Sequence, residues 1–271
     1  MYKLRIQGLV HSILILLFIL TGCSGPEVNE EEDVINRHGD IKNIDNLNAF
    51  IEKNRENLQV VHYTIEGDPI FYVLKYHGNQ IQMKYDNTQD DYGTPMVSKF
   101  TCDGLQRNEE DTYLEYVLTG CNGKEDDIEI LKIPYDVKEI DSFDFVLKYG
   151  VHLGNQINTL KKTLTKDLQN GETVEVSDFQ FSSEERQSIY KNMVLANYME
   201  EKQLTTSCNK KPHIAYDLTV YSGNRVLHYE WSECDKSKDG QQMTSLINKI
   251  IDIVRDKDIY KQLPPVKGGF A

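Results

Sequence analysis

The sequence lacks the long apolar run that a membrane-spanning helix requires. Its longest uninterrupted run, from Ile13 to Leu20, falls well short of the roughly 20 apolar residues that cross a bilayer core. Basic residues are also scarce: 30 Lys and Arg stand against 43 Asp and Glu, which gives a formal net charge of −13. Such a chain offers no general basic surface for phosphate backbones, so we expect no nucleic acid among its partners.

Sequence motifs typical of catalytic or metal-binding sites are missing as well. The sequence contains no C-x-x-C pair, no H-E-x-x-H, no G-x-S-x-G and no P-loop. A near match to the S-x-x-K of penicillin-recognising enzymes occurs at Ser207 and Lys210. Pro212 follows and no helical apolar pattern continues, so the helix that this chemistry needs is not expected there. We therefore predict no catalytic residues, no metal and no cofactor.

What the sequence does contain is a short export leader. Lys3 and Arg5 form a basic start, the apolar run follows, and residues 20–23 read L-T-G-C. This region resembles the lipobox of bacterial lipoproteins. The resemblance implies that residues 1–22 are a signal peptide and that Cys23 is lipidated and becomes the N-terminus. A second L-T-G-C ends at Cys121, but an acidic stretch precedes it, so we interpret Cys121 as a cysteine of a folded domain.

Four further cysteines remain: Cys102, Cys121, Cys208 and Cys234. Export places them in an oxidising compartment, where disulfides form. Four cysteines allow three pairings, and their order favours Cys102–Cys121 and Cys208–Cys234. A hairpin turn centred on Asp111 and Thr112 would place Cys102 opposite Cys121.

The periodicity predicts an α+β fold. An acidic tether over 23–32 precedes a helix at about 44–55 and an antiparallel meander of short strands. Further on, Asn170–Gly171 and Gly223–Asn224 mark hairpin turns, Ser182 and Glu185 form a capping box, and a helix is expected over 241–256. We predict two small domains, 33–135 and 140–271, each an antiparallel sheet with one or two packed helices and one disulfide.

Several stretches resemble a family of uncharacterised Bacillus-type lipoproteins, known as domain of unknown function 4362. They are DVINRHGDI, YTIEGDPI, DNTQDDYG and the pair FTCDG and LTGC, which occur in this order over roughly residues 33–125. The resemblance implies a surface lipoprotein of a Gram-positive bacterium and supplies no catalytic residues. The half after residue 143 resembles a second uncharacterised lipoprotein module.

Two local patterns leave alternatives open. The acidic loop with Asp86, Asp90 and Asp91 is either a calcium site or a solvated loop. Its carboxylates suit calcium, but it lacks the glycine and the glutamate of an EF-hand. Four tyrosines on predicted strands form either an exposed aromatic face or ordinary cover for a thin sheet: Tyr63, Tyr72, Tyr76 and Tyr85.

Together these patterns predict a lipoprotein anchored on the extracytoplasmic face of the cell membrane. We expect a non-catalytic module that binds a protein, a peptide or a wall component of the bacterial envelope. Two alternatives stay open at this point. One is a cell-envelope hydrolase with an unrecognised site, and the other is an inhibitor of a secreted cationic enzyme.

Overall fold

The computed structural model describes residues 25–269, which form two compact units. The first unit contains the described residues up to His38 together with 42–104 and 119–126. The second contains 39–41, 105–118 and the described residues from Asp127 onward. Both units are built on sheets with few helices, so the predicted α+β class is confirmed.

The first unit holds an antiparallel meander of four strands. Its elements in chain order are β1 (Val34–Arg37), β2 (Asp40–Lys42, most of which belongs to the second unit), α1 (Asp45–Ile51), β3 (Asn57–Tyr63), β4 (Pro69–His77), β5 (Gln80–Asp86) and β6 (Val97–Cys102). Strands β3 to β6 follow one another in the sheet, each antiparallel to the next.

One pairing in this sheet is parallel. Strand β1 lies beside β3 with Val34 opposite Val60, and helix α1 lies between these strands in the chain. A parallel neighbour requires a crossover connection, and the helix supplies it. Leu47 and Phe50 are the buried residues of α1. The helix ends at Ile51 rather than near 55, because Lys53 adopts a left-handed conformation that closes a helix end.

The second unit contains two antiparallel sheets. The smaller sheet has the order β7-β8-β9, and the larger has the order β13-β12-β11-β10-β14-β15. The strands are β7 (Gly104–Glu109), β8 (Tyr113–Thr119), β9 (Ile128–Pro134), β10 (Phe143–Gly150), β11 (Asn155–Asn158), β12 (Thr163–Asp167), β13 (Thr173–Val176), β14 (Ala215–Ser222) and β15 (Arg225–Ser232). Both predicted hairpin turns are present, joining β12 to β13 and β14 to β15.

Three α-helices complete the described part of the second unit: α2 (Ser183–Leu195), α3 (Lys238–Asp256) and the short α4 (Asp258–Lys261). The predicted capping box of Ser182 and Glu185 starts α2. Helix α3 begins three residues before the predicted start, because the Ser237 hydroxyl accepts from the Gly240 backbone N–H at 3.0 Å. Its buried stripe includes Met243, Leu246, Ile250 and Val254.

Trp231, the only tryptophan, is fully buried in this unit. It stacks on Tyr216 with ring centroids 4.9 Å apart, and its indole Nε1 donates to the Thr244 hydroxyl of α3 at 2.9 Å. Strand β15 is therefore fixed against α3, and its opposite face, with His228 and Glu230, is left to solvent.

Candidate functional site

The first disulfide closes the end of β6. It joins Cys102 to Cys121 with Cα atoms 3.9 Å apart, the pairing that the hairpin register favours. Backbone hydrogen bonds flank the bridge, from Asp103 N–H to the Thr119 carbonyl and from Asn122 N–H to the Thr101 carbonyl, both at 2.9 Å. The cysteine that ends the second L-T-G-C therefore joins two chain segments of the first unit.

The second disulfide joins Cys208 to Cys234 across the open end of the β14–β15 hairpin, with Cα atoms 5.3 Å apart. The segment around Cys208 has no helix, and Lys210 pairs with Glu233 at 3.0 Å. The near match to S-x-x-K thus lies in a stapled irregular segment, and its lysine is engaged by a carboxylate.

The four tyrosines named from the sequence do not form one exposed face. Tyr72 and Tyr85 are opposite each other and make an edge-on contact with centroids 5.2 Å apart. Tyr76 is stacked under Phe50 at 4.5 Å, and the Arg37 guanidinium lies 4.5 Å from the Tyr63 ring. All four are half-buried, which is the behaviour of residues that cover a thin sheet.

Two of the three carboxylates of the acidic loop, those of Asp86 and Asp90, accept hydrogen bonds within the protein. Asp86 is buried and accepts from Lys84 Nζ at 2.7 Å and from the Thr88 hydroxyl at 2.7 Å. Burial alone would raise the pKa of Asp86, but these hydrogen bonds outweigh it and the pKa is lowered. Asp90 accepts from the backbone N–H groups of Tyr92 and Gly93, each at 3.0 Å. This arrangement resembles a solvated loop with side-chain turns more than a cation site.

The strand register of the first sheet gathers lysines on one face. Lys84 on β5 is directly opposite Lys99 on β6. Lys75 on β4 lies on the same face, two residues along the strand from Val73, which is opposite Lys84. Lys84 is ion-paired with Asp86, whereas no carboxylate of the described chain lies within ion-pair distance of Lys75 or Lys99, both of which are exposed. These lysines line a shallow groove of about 330 Å³.

Strand β6 is the last strand of this sheet, so one of its edges is open. The Thr101 N–H points away from β5, since it donates to the Asn122 side chain at 2.6 Å. Residues two apart in a strand point their backbone N–H and C=O groups to the same side, so those of Lys99 and Val97 also point away from β5, out of the open edge. Met96 and Val97 beside it are 49% and 48% exposed. We call Lys75, Lys84, Lys99 and this open edge of β6 the lysine edge.

A second cluster lies on the solvent face of the large sheet. Asp217 on β14 is directly opposite Glu230 on β15, and His228 is two residues before Glu230 on the same face. His228 Nε2 lies 3.1 Å from Asp217 Oδ1 and 3.8 Å from Glu230 Oε1. Among the described residues, this is the group of three side chains whose donor atoms are close enough to share a metal ion.

Both clusters were missed by reasoning from the sequence. Net charge describes the whole chain and conceals a local group of lysines on an acidic protein. The second cluster had a readable signal, because counting outward from the Gly223–Asn224 turn pairs Asp217 with Glu230. A search for histidine pairs overlooks it, since it has one histidine and two carboxylates.

A cleft of about 690 Å³ lies in the second unit beside the start of α2. Its polar side chains hold the fold together: Gln187 donates to the carbonyls of Asp111 and Tyr135, both at 2.8 Å. Lys191 contacts Glu109 at 2.6 Å, and this hydrogen bond lowers the pKa of Glu109. The cleft is thus braced by structural contacts between α2 and the smaller sheet.

None of the helices in the described part of the chain is long and apolar enough to cross a membrane. The fold and sites together define a disulfide-stapled α+β protein whose described surface carries clusters of charged side chains. Residues 31–117 match the family described as domain of unknown function (DUF4362), as the resemblance predicted. No curated protein and no solved structure matches the chain. Cys23 and the leader lie outside the described residues.

Proposed function

We propose that the protein is a lipoprotein of the bacterial cell envelope, held on the extracytoplasmic face of the membrane through Cys23. The lipobox context of Cys23 motivates the anchor. Two disulfides support export, because such bonds persist in oxidising compartments. Replacing Cys23 with Ala should move the protein out of the membrane fraction. If the variant stays there after a carbonate wash, something other than a lipid on Cys23 holds it.

We further propose that the protein is a non-catalytic binding module, and that the lysine edge is its binding surface. The observation that carries this proposal is the direct opposition of Lys84 and Lys99. Like charges opposite each other in a sheet destabilise it, and an acidic chain has many residues that would fit better there. Placing lysines at this position is therefore explained by a partner that brings negative charge.

The partner that fits best is a protein with an acidic, extended segment. Such a segment adds a strand to an open edge by pairing with its backbone N–H and C=O groups, here those of Val97 and Lys99. A carboxylate of the segment would then neutralise Lys99, and exposed Met96 and Val97 would offer apolar contact. Backbone pairing supplies affinity, and the lysines supply selection for acidic sequences.

The test is photo-crosslinking on intact cells, from a photoreactive residue at position 97. We expect a discrete crosslinked product, and we expect Lys99→Glu to remove it. Lys161→Glu is the matched control, because Lys161 is an exposed lysine of the second unit and the charge change is the same. A photoreactive residue at Val226, which is 64% exposed, reports non-specific contact. A product that survives Lys99→Glu, or that forms equally from position 226, would contradict the binding role of the lysine edge.

A further inference from the structure

The face of the large sheet that carries Asp217, His228 and Glu230 has a defined geometry. Lys148 on β10, Asp217 on β14 and Glu230 on β15 lie in one row across three hydrogen-bonded strands. His228 is in the neighbouring row, opposite Thr219. Two adjacent strands therefore hold the three donor side chains at fixed backbone positions, and the buried side of β15 is anchored by Trp231.

Two carboxylates face each other in this row, and only one of them is neutralised by a lysine. Lys148 Nζ contacts Asp217 Oδ2 at 3.0 Å, while the other oxygen, Oδ1, faces His228. Glu230 has no lysine or arginine of the described chain within ion-pair distance; its neighbour is His228. Opposed like charges destabilise a sheet, so this row favours a bound cation.

The donor distances are close to those of a metal site. A tetrahedral zinc ion with ligands about 2.0–2.2 Å away holds its ligand atoms roughly 3.3–3.6 Å apart. The separations from His228 Nε2 are 3.1 and 3.8 Å, and all three donor atoms lie within 4.8 Å of one another. The His228 and Glu230 side chains are 51% and 57% exposed, so small rotations can bring them onto an ion.

The donor types indicate which ion fits. An imidazole nitrogen with two carboxylates suits zinc and similar divalent transition ions, whereas calcium and magnesium take oxygen ligands. Asp217 would bind through Oδ1 while Lys148 holds Oδ2 and fixes the carboxylate's orientation. Three protein ligands leave a position for water or for a group from another molecule.

We propose that Asp217, His228 and Glu230 form a binding site for one divalent transition-metal ion of the zinc class. The site lies on the second unit, and its existence does not depend on the lipid anchor or on the lysine edge.

The test is isothermal titration calorimetry, in which Zn²⁺ alone is added to the purified full-length protein in detergent. We expect one equivalent to bind. We expect His228→Ala and Glu230→Gln each to weaken that binding by at least about tenfold, since even residues that only orient a ligand cost that much. Both side chains are more than half exposed, so neither substitution should disturb folding, which circular dichroism checks.

His213→Ala is the matched control. His213 is a histidine of the same unit whose Nδ1–H donates to the Lys210 carbonyl at 3.1 Å, outside this face. We expect it to leave Zn²⁺ binding unchanged. An unmodified protein that binds no Zn²⁺, or a His228→Ala variant that binds as tightly as the unmodified protein, would overturn the site.

Discussion

Reversing one charge of the lysine edge should make the protein more stable while it weakens the proposed function. Lys84 and Lys99 are directly opposite on β5 and β6. Lys99→Glu replaces a repulsive pair with an attractive one. Cross-strand charge pairs contribute about 0.2–1 kcal/mol each, so the reversal removes one such penalty and adds one such gain.

The sum of these two contributions to the free energy of unfolding is reduced because solvent screens the charges. Lys99 is exposed, and the Lys84 side chain is 39% exposed and already paired with Asp86. Exposed ion pairs contribute only a fraction of their ideal value, so we expect a net stabilisation of about 0.5–1 kcal/mol. Lys99→Gln, which removes repulsion without adding attraction, should give about half of this gain.

The assay must report on the first unit. Tryptophan fluorescence does not, because Trp231 belongs to the second unit. Hydrogen exchange of the β5 amides does, and a gain of this size slows exchange about two- to fivefold. The effect should shrink in high salt, because salt screens exposed charges. Lys161→Glu should not slow exchange at β5. If the Lys99→Glu variant exchanges as fast as the unmodified protein, the opposed lysines do not destabilise the sheet, and their opposition gives no support for an acidic partner.

Three further predictions concern the fold. Replacing Cys102 and Cys121 with Ser should cost about 3 kcal/mol of unfolding free energy by the loop-entropy model, given their separation of 19 residues, and urea denaturation measures this. If the predicted domains are separable, residues 24–135 and 140–271 should each melt cooperatively when expressed alone. The second piece should melt below the intact chain, because it lacks the smaller sheet that packs on α2. Burial would raise the pKa of Asp235, but hydrogen bonds from Ser237 and Thr205 outweigh it, and the pKa is lowered from 3.8. The ionised Asp235 therefore stabilises the folded protein fully above pH 3.8, and this stabilisation is lost as the pH falls below that value. Asp235→Asn should therefore be less stable at pH 7, with a difference that narrows at pH 3 by urea denaturation.

The elements that could be predicted from the sequence are those fixed by nearby residues. The capping box at Ser182 and the turn at Gly223 act over three or four residues, and both occur in the structure. The stripe of α3 repeats every turn of one helix, so its period survives in the sequence. The cysteine order also carried the correct pairs.

The features that could not be predicted depend on register between distant segments. The parallel pairing of β1 with β3 crosses a helix, and no turn sets it. A loop joins β5 to β6, so the alignment of Lys84 with Lys99 is set by packing of the sheet rather than by a short turn. The division into units differs from the predicted boundary for a similar reason: 105–118 belongs to the second unit, although its chain neighbours belong to the first.

The most direct test of the account is the mass of the N-terminal peptide of the protein extracted from membranes. The proposed address at the outer face of the membrane rests on a lipid anchor, and that anchor requires cleavage before Cys23 and lipid on its thiol. We expect a peptide that begins at Cys23 and carries the mass of a diacylglycerol group. A peptide that begins at Met1, or an unmodified Cys23, would contradict it.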